Sequence, residues 1–154
     1  YRHAPIQLPT RENPLDLAAA DLNHDGWADL VLTGVGHSGD IDLYFNRGDG
    51  TFQRQILVAD DYDHRLDALH VELADMDSDG NFDIVVSGVG AGGPVRIAFL
   101  EYRRGYTAEI REYRDVSACG NSWHLHIVDL DGDRKWDILT TDSNEGLLCI
   151  EWGL

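Results

Sequence analysis

Asp21-Leu22-Asn23-His24-Asp25-Gly26-Trp27-Ala28-Asp29-Leu30 returns twice further along the chain. The second copy is Asp75-Met76-Asp77-Ser78-Asp79-Gly80-Asn81-Phe82-Asp83-Ile84, and the third is Asp129-Leu130-Asp131-Gly132-Asp133-Arg134-Lys135-Trp136-Asp137-Ile138. The interval is constant, since 75 − 21 and 129 − 75 both equal 54. A fixed period of this size marks a repeat architecture and outranks any local reading of the chain.

Working outward, each copy is preceded by period-two alternation: Leu15, Leu17 and Ala19, then Leu69, Val71 and Leu73, then Trp123, Leu125 and Ile127. That spacing predicts a strand with one buried face. Each copy is followed by a short apolar run, Leu30-Val31-Leu32-Thr33, Ile84-Val85-Val86-Ser87 or Ile138-Leu139-Thr140-Thr141, which suits a second strand. A third strand alternates at Ile41, Leu43 and Phe45, at Val95, Ile97 and Phe99, and at Leu148, Ile150 and Trp152, the last set one residue out of register. A fourth begins at Phe52 and at Tyr106.

The expected fold class is all-β, a β-propeller of three four-stranded blades of about 54 residues. The chain reads as one domain, 1–154, with blade units of roughly 11–58, 65–112 and 119–154 plus 1–8. The opening segment resembles an orphaned fourth strand, expected to complete the last blade within the chain or in a partner chain and so remove a bare sheet edge. Three blades fall below the usual minimum of about four. The expectation is therefore a homodimer completing a six-bladed ring, or a piece of a longer propeller.

Composition narrows the function. The chain has 154 residues, enough for one ordinary core, and 43% of them are hydrophobic, a globular proportion. Twelve basic against 28 acidic residues give a formal charge of −16, which repels nucleic acid and anionic membranes. No apolar run is long enough for a membrane-spanning helix. The chain opens at Tyr1 and not at methionine, as a processed, excised or partial product does, so its opening says nothing of export. Cys119 and Cys149 are compatible with one bridge or with two buried thiols.

Eleven of the acids are concentrated in the three loops, and clustered carboxylates repel one another unless a cation neutralises them. The spacing offers side-chain oxygens at positions 1, 3, 5 and 9 and a backbone carbonyl at position 7. The candidate metal ligands are Asp21, Asn23, Asp25, Trp27 and Asp29, then Asp75, Asp77, Asp79, Asn81 and Asp83, then Asp129, Asp131, Asp133, Lys135 and Asp137. Six to eight hard oxygens in a flexible turn suit calcium, whereas zinc favours His and Cys. The glycine at position 6 permits the positive φ of a tight wrap. An EF-hand also opens this way but needs a Glu at position 12, where Leu32, Val86 and Thr140 stand here.

On these loops, and on the turn Asn46-Arg47-Gly48-Asp49-Gly50-Thr51-Phe52, the chain resembles the FG-GAP or VCBS-like calcium-binding β-propeller repeats of integrin α-chain heads and many secreted proteins. The Phe-Gly and Gly-Ala-Pro signatures of the integrin versions are absent, so the likeness is closer to the VCBS-like branch. The third loop departs from the pattern. Arg134 stands where Gly26 and Gly80 stand, and Gly132 comes two residues early, so up to three calcium ions are expected with the third site weaker.

Outside the loops, Arg47-Gly48-Asp49 lies inside the family turn, where Gly and Asp serve geometry. His70, His124 and His126 fall on the polar face of their strands and suit hydrogen bonding between blades better than zinc. Tyr62, His64, Arg65, Trp123 and the segments Gly34 to Asp40 and Gly88 to Pro94 fall on connections at the end opposite the acidic loops, where binding commonly resides. Aromatic rings with neighbouring Asp, Asn and Arg suit sugars. Ser38, Ser87, Ser117, Ser122 and Ser143 show no nucleophile elbow, and Glu72 and Glu145 have no acid/base companion, so no enzyme is expected. The reading is a calcium-stabilised extracellular or cell-surface (or periplasmic) binding module for a glycan or protein. Its alternatives are an assembly subunit of a larger complex or filament, or a scaffold from a secreted polysaccharide-active enzyme.

Overall fold

The computed structural model describes residues 5–10, 13–34, 41–57, 66–90, 95–103, 106–116, 122–142 and 144–153. Among them are eleven strands and no helix: β1 (Pro14–Ala20), β2 (Asp29–Gly34), β3 (Ile41–Asn46), β4 (Phe52–Leu57), β5 (Leu66–Ala74), β6 (Asp83–Gly90), β7 (Val95–Arg103), β8 (Thr107–Val116), β9 (Ser122–Val128), β10 (Asp137–Asp142) and β11 (Leu147–Glu151). They form three antiparallel sheets, β1-β2-β3-β4, β5-β6-β7-β8 and β9-β10-β11, each running in chain order. The 54-residue period is visible in the sheets, because Asp29, Asp83 and Asp137 each open the second strand.

Two apolar clusters lie between the sheets. Val31, Leu43 and Phe45 of the first sheet pack with Val71, Ile84, Val86 and Ala98 of the second. Val85, Ile97 and Phe99 of the second pack with Leu125 and Ile138 of the third. The second sheet is thus covered on both faces, which is why Ile84-Val85-Val86 reads as a continuous apolar run. In β2, by contrast, buried Asp29, Val31 and Thr33 alternate with half-buried Leu30, Leu32 and Gly34.

Polar side chains stitch neighbouring sheets. Asp16 on β1 accepts from the backbone N of Val71 at 3.0 Å and pairs with His70 Nδ1 at 2.5 Å. Glu72 on β5 accepts from the backbone N of Ile127 and pairs with His126 Nδ1, both at 2.9 Å. At the outer strands, Gln55 on β4 accepts from Ala108 N at 2.8 Å and donates to its carbonyl at 2.5 Å. The histidines serve as links between sheets, and none of them belongs to a metal-competent cluster among the described residues.

Two expectations need correcting. Leu15 and Leu17 do not form a buried face; both are exposed, and it is Ala18 and Ala20 that pack against the core. The equivalent Val71 and Leu125 are buried because a preceding sheet covers them, and no described residues cover β1 in that way. Nor do the described residues of the opening segment add a strand to the third sheet within the chain. Residues 5–10 form no strand, β11 pairs only with β10 among the described residues, and Pro9 accepts a 2.6 Å hydrogen bond from Tyr44 Oη in the first sheet.

The remaining face is the outer one of the third sheet. Leu148 pairs with Thr141 and Ile150 with Leu139, so both point away from the Ile138 face that packs on the second sheet. Leu148 is 64% exposed and Trp152 54%. Their counterparts Ile41 and Phe45, and Val95 and Phe99, are buried by the following sheet. Cys149 is held in a disulfide. The only other cysteine, Cys119, lies outside the described residues.

Candidate metal centre: the acidic loops

Each loop is built around its position-1 aspartate, whose carboxylate caps the turn that follows. Asp21 accepts from Asp25 N at 3.0 Å and Gly26 N at 2.9 Å, and Asp75 accepts from Asp79 N and Gly80 N, both at 3.0 Å. Asp129 accepts from Gly132 N at 2.7 Å and Arg134 N at 3.0 Å. The position-5 aspartates close a smaller turn, accepting from Trp27 N, Asn81 N and Lys135 N. Short acidic side chains that bond their own backbone two residues on are what favour such turns.

Two positions in every loop adopt positive φ, and the structure explains the displaced glycine of the third. His24, Ser78 and Gly132 at position 4 lie at +58°, +60° and +82°; Gly26, Gly80 and Arg134 at position 6 lie at +91°, +93° and +72°. Each loop therefore has one glycine and one non-glycine in the left-handed region, and the third merely exchanges their places. Arg134 is no greater burden there than His24 or Ser78 is in the other loops.

Position 9 anchors the loop to the sheet. Asp29, Asp83 and Asp137 are buried. Asp29 accepts from Leu22 N at 3.1 Å and, across to the end of β3, from Asn46 N at 2.7 Å. Asp137 repeats this with Leu130 N at 2.8 Å and Gly153 N at 2.7 Å, and Asp83 accepts from Met76 N at 2.9 Å. Burial pushes the Asp29 carboxyl above its ordinary range, and the charges of Asp25 and Asp21 push the same way, against the pull of the Asn46 and Leu22 amides.

Carboxylate oxygens of Asp75, Asp77 and Asp83 lie within 4.8 Å of one another, as do those of Asp129, Asp131 and Asp137. These are positions 1, 3 and 9, and the first loop has Asn23 at position 3. Asp79 and Asp133 at position 5 stand outside the two clusters. The residues suit a hard divalent cation, since every donor is an oxygen and each cluster gathers three carboxylates. The spacing of the acids made the loops visible in sequence, but the closer convergence of 1, 3 and 9 needed the fold.

Residues 21–86 match the family model described as FG-GAP-like repeat. The chain carries an FG-GAP-like repeat. The matched span runs from the first acidic loop to the strand after the second, a little more than one period. No curated protein and no solved structure matches the chain.

Around the FG-GAP-like loops, the Arg47-Gly48-Asp49 turn is committed to local structure. Gly48 has φ +73°, Asp49 accepts from Thr51 N at 2.9 Å and Thr51 Oγ1 at 2.6 Å, and the Arg47 guanidinium lies 5.5 Å from the Tyr106 ring centre. The Trp27 ring rests on Gly48 so closely that a Cβ there would stand 2.4 Å from Nε1. Beside it opens a cleft of about 550 Å³ lined by Ile6, Trp27, Asn46, Asp49 and Phe52 among others, which sequence reading missed. Tyr62, His64, Arg65 and residues 35–40 and 91–94 lie outside the described residues, as does the side chain of Trp123.

Proposed function

We propose that the chain is a calcium-stabilised β-propeller module that acts outside the cell in binding a glycan or an extracellular protein. The observation that supports this most is the threefold recurrence of one acidic loop, in the second and third copies of which the position-1, -3 and -9 carboxylates converge on a common centre. Such a centre repels itself until a cation fills it, and carboxylates with a position-7 carbonyl supply the oxygen set that calcium takes. Calcium here is structural. It neutralises the loop and fixes the turn between the first two strands of each sheet. The Cys149 disulfide is in keeping with an oxidising compartment, and among the described residues no helix is long and apolar enough to cross a membrane. The half-exposed Trp27 ring beside Asn46 and Asp49 offers a stacking platform of the kind sugar rings use.

The same reading says what covers the two open faces: a second copy of the chain. Leu148, Ile150 and Trp152 continue the surface that the first sheet presents to the second, and Leu15 and Leu17 continue the surface that the second presents to the first. Two copies set head to tail make both contacts at once and close six sheets into a ring.

Native mass measurement, metal analysis and thermal melting test both parts. The expected result is a two-chain species carrying up to three calcium ions per chain. At about 100 times the dissociation constant each ion adds about 2.7 kcal/mol, so chelation lowers the melting temperature markedly. An unchanged melt in EDTA removes the calcium reading. A single-chain mass with calcium bound removes the ring and leaves the metal. Saturable binding on a glycan array, lost in Trp27→Ala, identifies a sugar ligand.

A further inference from the structure

The second acidic loop has a feature that the other two lack among the described residues: a protein cation is already against it. Arg111, on β8, places Nη2 2.5 Å from Asp77 Oδ2 and Nη1 3.8 Å from Asp79 Oδ2. Asp77 is one of the three carboxylates that converge, whereas Asp79 is not. The guanidinium also lies 5.7 Å from the Phe99 ring centre, so it is held on the side facing the sheet as well as by the acids. In the first sheet Gln53 pairs with Phe45 as Glu112 pairs with Phe99 in the second, so the place of Arg111 falls at Phe52, and the first loop has no arginine or lysine paired to it among the described residues. The third loop has none either.

The first two loops otherwise share their backbone conformation and their position-1 capping pattern. They differ at position 3, where Asn23 is neutral and Asp77 is charged. On charge alone the second loop should hold a divalent cation more tightly than the first. We propose that Arg111 is an internal counter-cation of the second loop that competes with calcium for Asp77, so that this site fills only as the guanidinium withdraws. The inference rests on the calcium reading above, and it makes the second site the adjustable one of the three. Two cations that share a carboxylate oppose each other reciprocally: whatever Arg111 takes from calcium affinity, calcium takes from the Arg111 contact.

The test compares wild type with Arg111→Gln, both stripped of metal, by calorimetric titration with calcium chloride and by melting in EDTA and in saturating calcium. One site in Arg111→Gln should tighten about tenfold, a typical coupling. The gain should vanish in Arg111→Gln combined with Asp75→Asn, which disables that loop. In EDTA the variant should melt below wild type, because the acids lose the only cation paired with them among the described residues. In calcium the deficit should close or reverse. A deficit of equal size in both conditions marks Arg111 as ordinary packing and overturns the proposal. So does unchanged affinity at every site. If wild type takes up no calcium at all, the calcium reading itself has failed, which the flat wild-type titration shows without reference to the variant.

Discussion

Leu17 on β1 and Leu125 on β9 occupy the same place in the repeat two periods apart, yet Leu17 is 61% exposed and Leu125 4%. Both look towards the preceding sheet, and among the described residues only Leu125 has one. The acidic loops behave in the opposite way. First or third in the chain, they keep the same two left-handed positions and the same buried position-9 anchor. The strand faces of this repeat take their environment from neighbours, while the loops are closed by their own residues.

The sharpest check on the strand half of that contrast is a pair of identical substitutions. Leu125→Ala empties part of the cluster between the second and third sheets and should cost about 3 kcal/mol, within the usual range for buried leucine. Leu17→Ala, in the single chain, should stay within about 0.5 kcal/mol, as exposed substitutions do. Chemical denaturation at low protein concentration measures both. Equal costs would mean that β1 is covered after all, and the neighbour argument would fail. At concentrations where two copies associate, the Leu17 cost should grow, because the same side chain then meets a sheet.

The loop half predicts sameness. Asp29→Ala removes the acceptor of two backbone amides, Leu22 N and Asn46 N, and leaving buried donors unsatisfied costs about 1–3 kcal/mol each. A loss of about 2–3 kcal/mol in EDTA is expected, with Asp137→Ala alike because it serves Leu130 N and Gly153 N in the same manner. Measuring without calcium separates this bracing role from any role as ligand. Asp25→Ala, which gives up an exposed turn bond to Trp27 N, should cost about 1 kcal/mol or less. If Asp29 and Asp137 differed as widely as Leu17 and Leu125 do, the loops would not be self-contained.

This division also explains what the sequence disclosed. Three antiparallel sheets, the strand starts near Asp29, Asp83 and Asp137, and the acidic loops were legible because each is encoded within a dozen residues by alternation, glycine placement and carboxylate spacing. The exposure of Leu15 and Leu17 was not, because alternation shows that two faces differ and not whether anything covers the apolar one. The seat of Pro9 against Tyr44 was hidden for a similar reason, since a short segment holds no record of which sheet it will touch. Arg111 and Asp77 stand 34 residues apart with no shared motif, and only the path of β8 beside the second loop brings them together. The Trp27 cleft likewise depends on a turn, a loop and the opening segment meeting.

The smallest predicted effect tests the loops' interchangeability most finely. Arg134 in the third loop holds φ +72° where the other loops place glycine. A left-handed L-residue costs about 1–2 kcal/mol, while a glycine loosens the unfolded chain by about 0.4–1 kcal/mol. The first term is larger, so Arg134→Gly should stabilise by about 0.5–1 kcal/mol. The side chain is exposed and makes no ion pair among the described residues, so little packing is lost. Its positive charge among four aspartates is a competing contribution, and salt at about 1 M shortens its reach to about 3 Å. Denaturation at that ionic strength should therefore show the backbone gain by itself, and Gly26→Ala at φ +91° should show a loss of similar size. A destabilised Arg134→Gly in high salt would mean that the third loop is not the first with its glycine moved, and that the arginine holds it by contacts of its own.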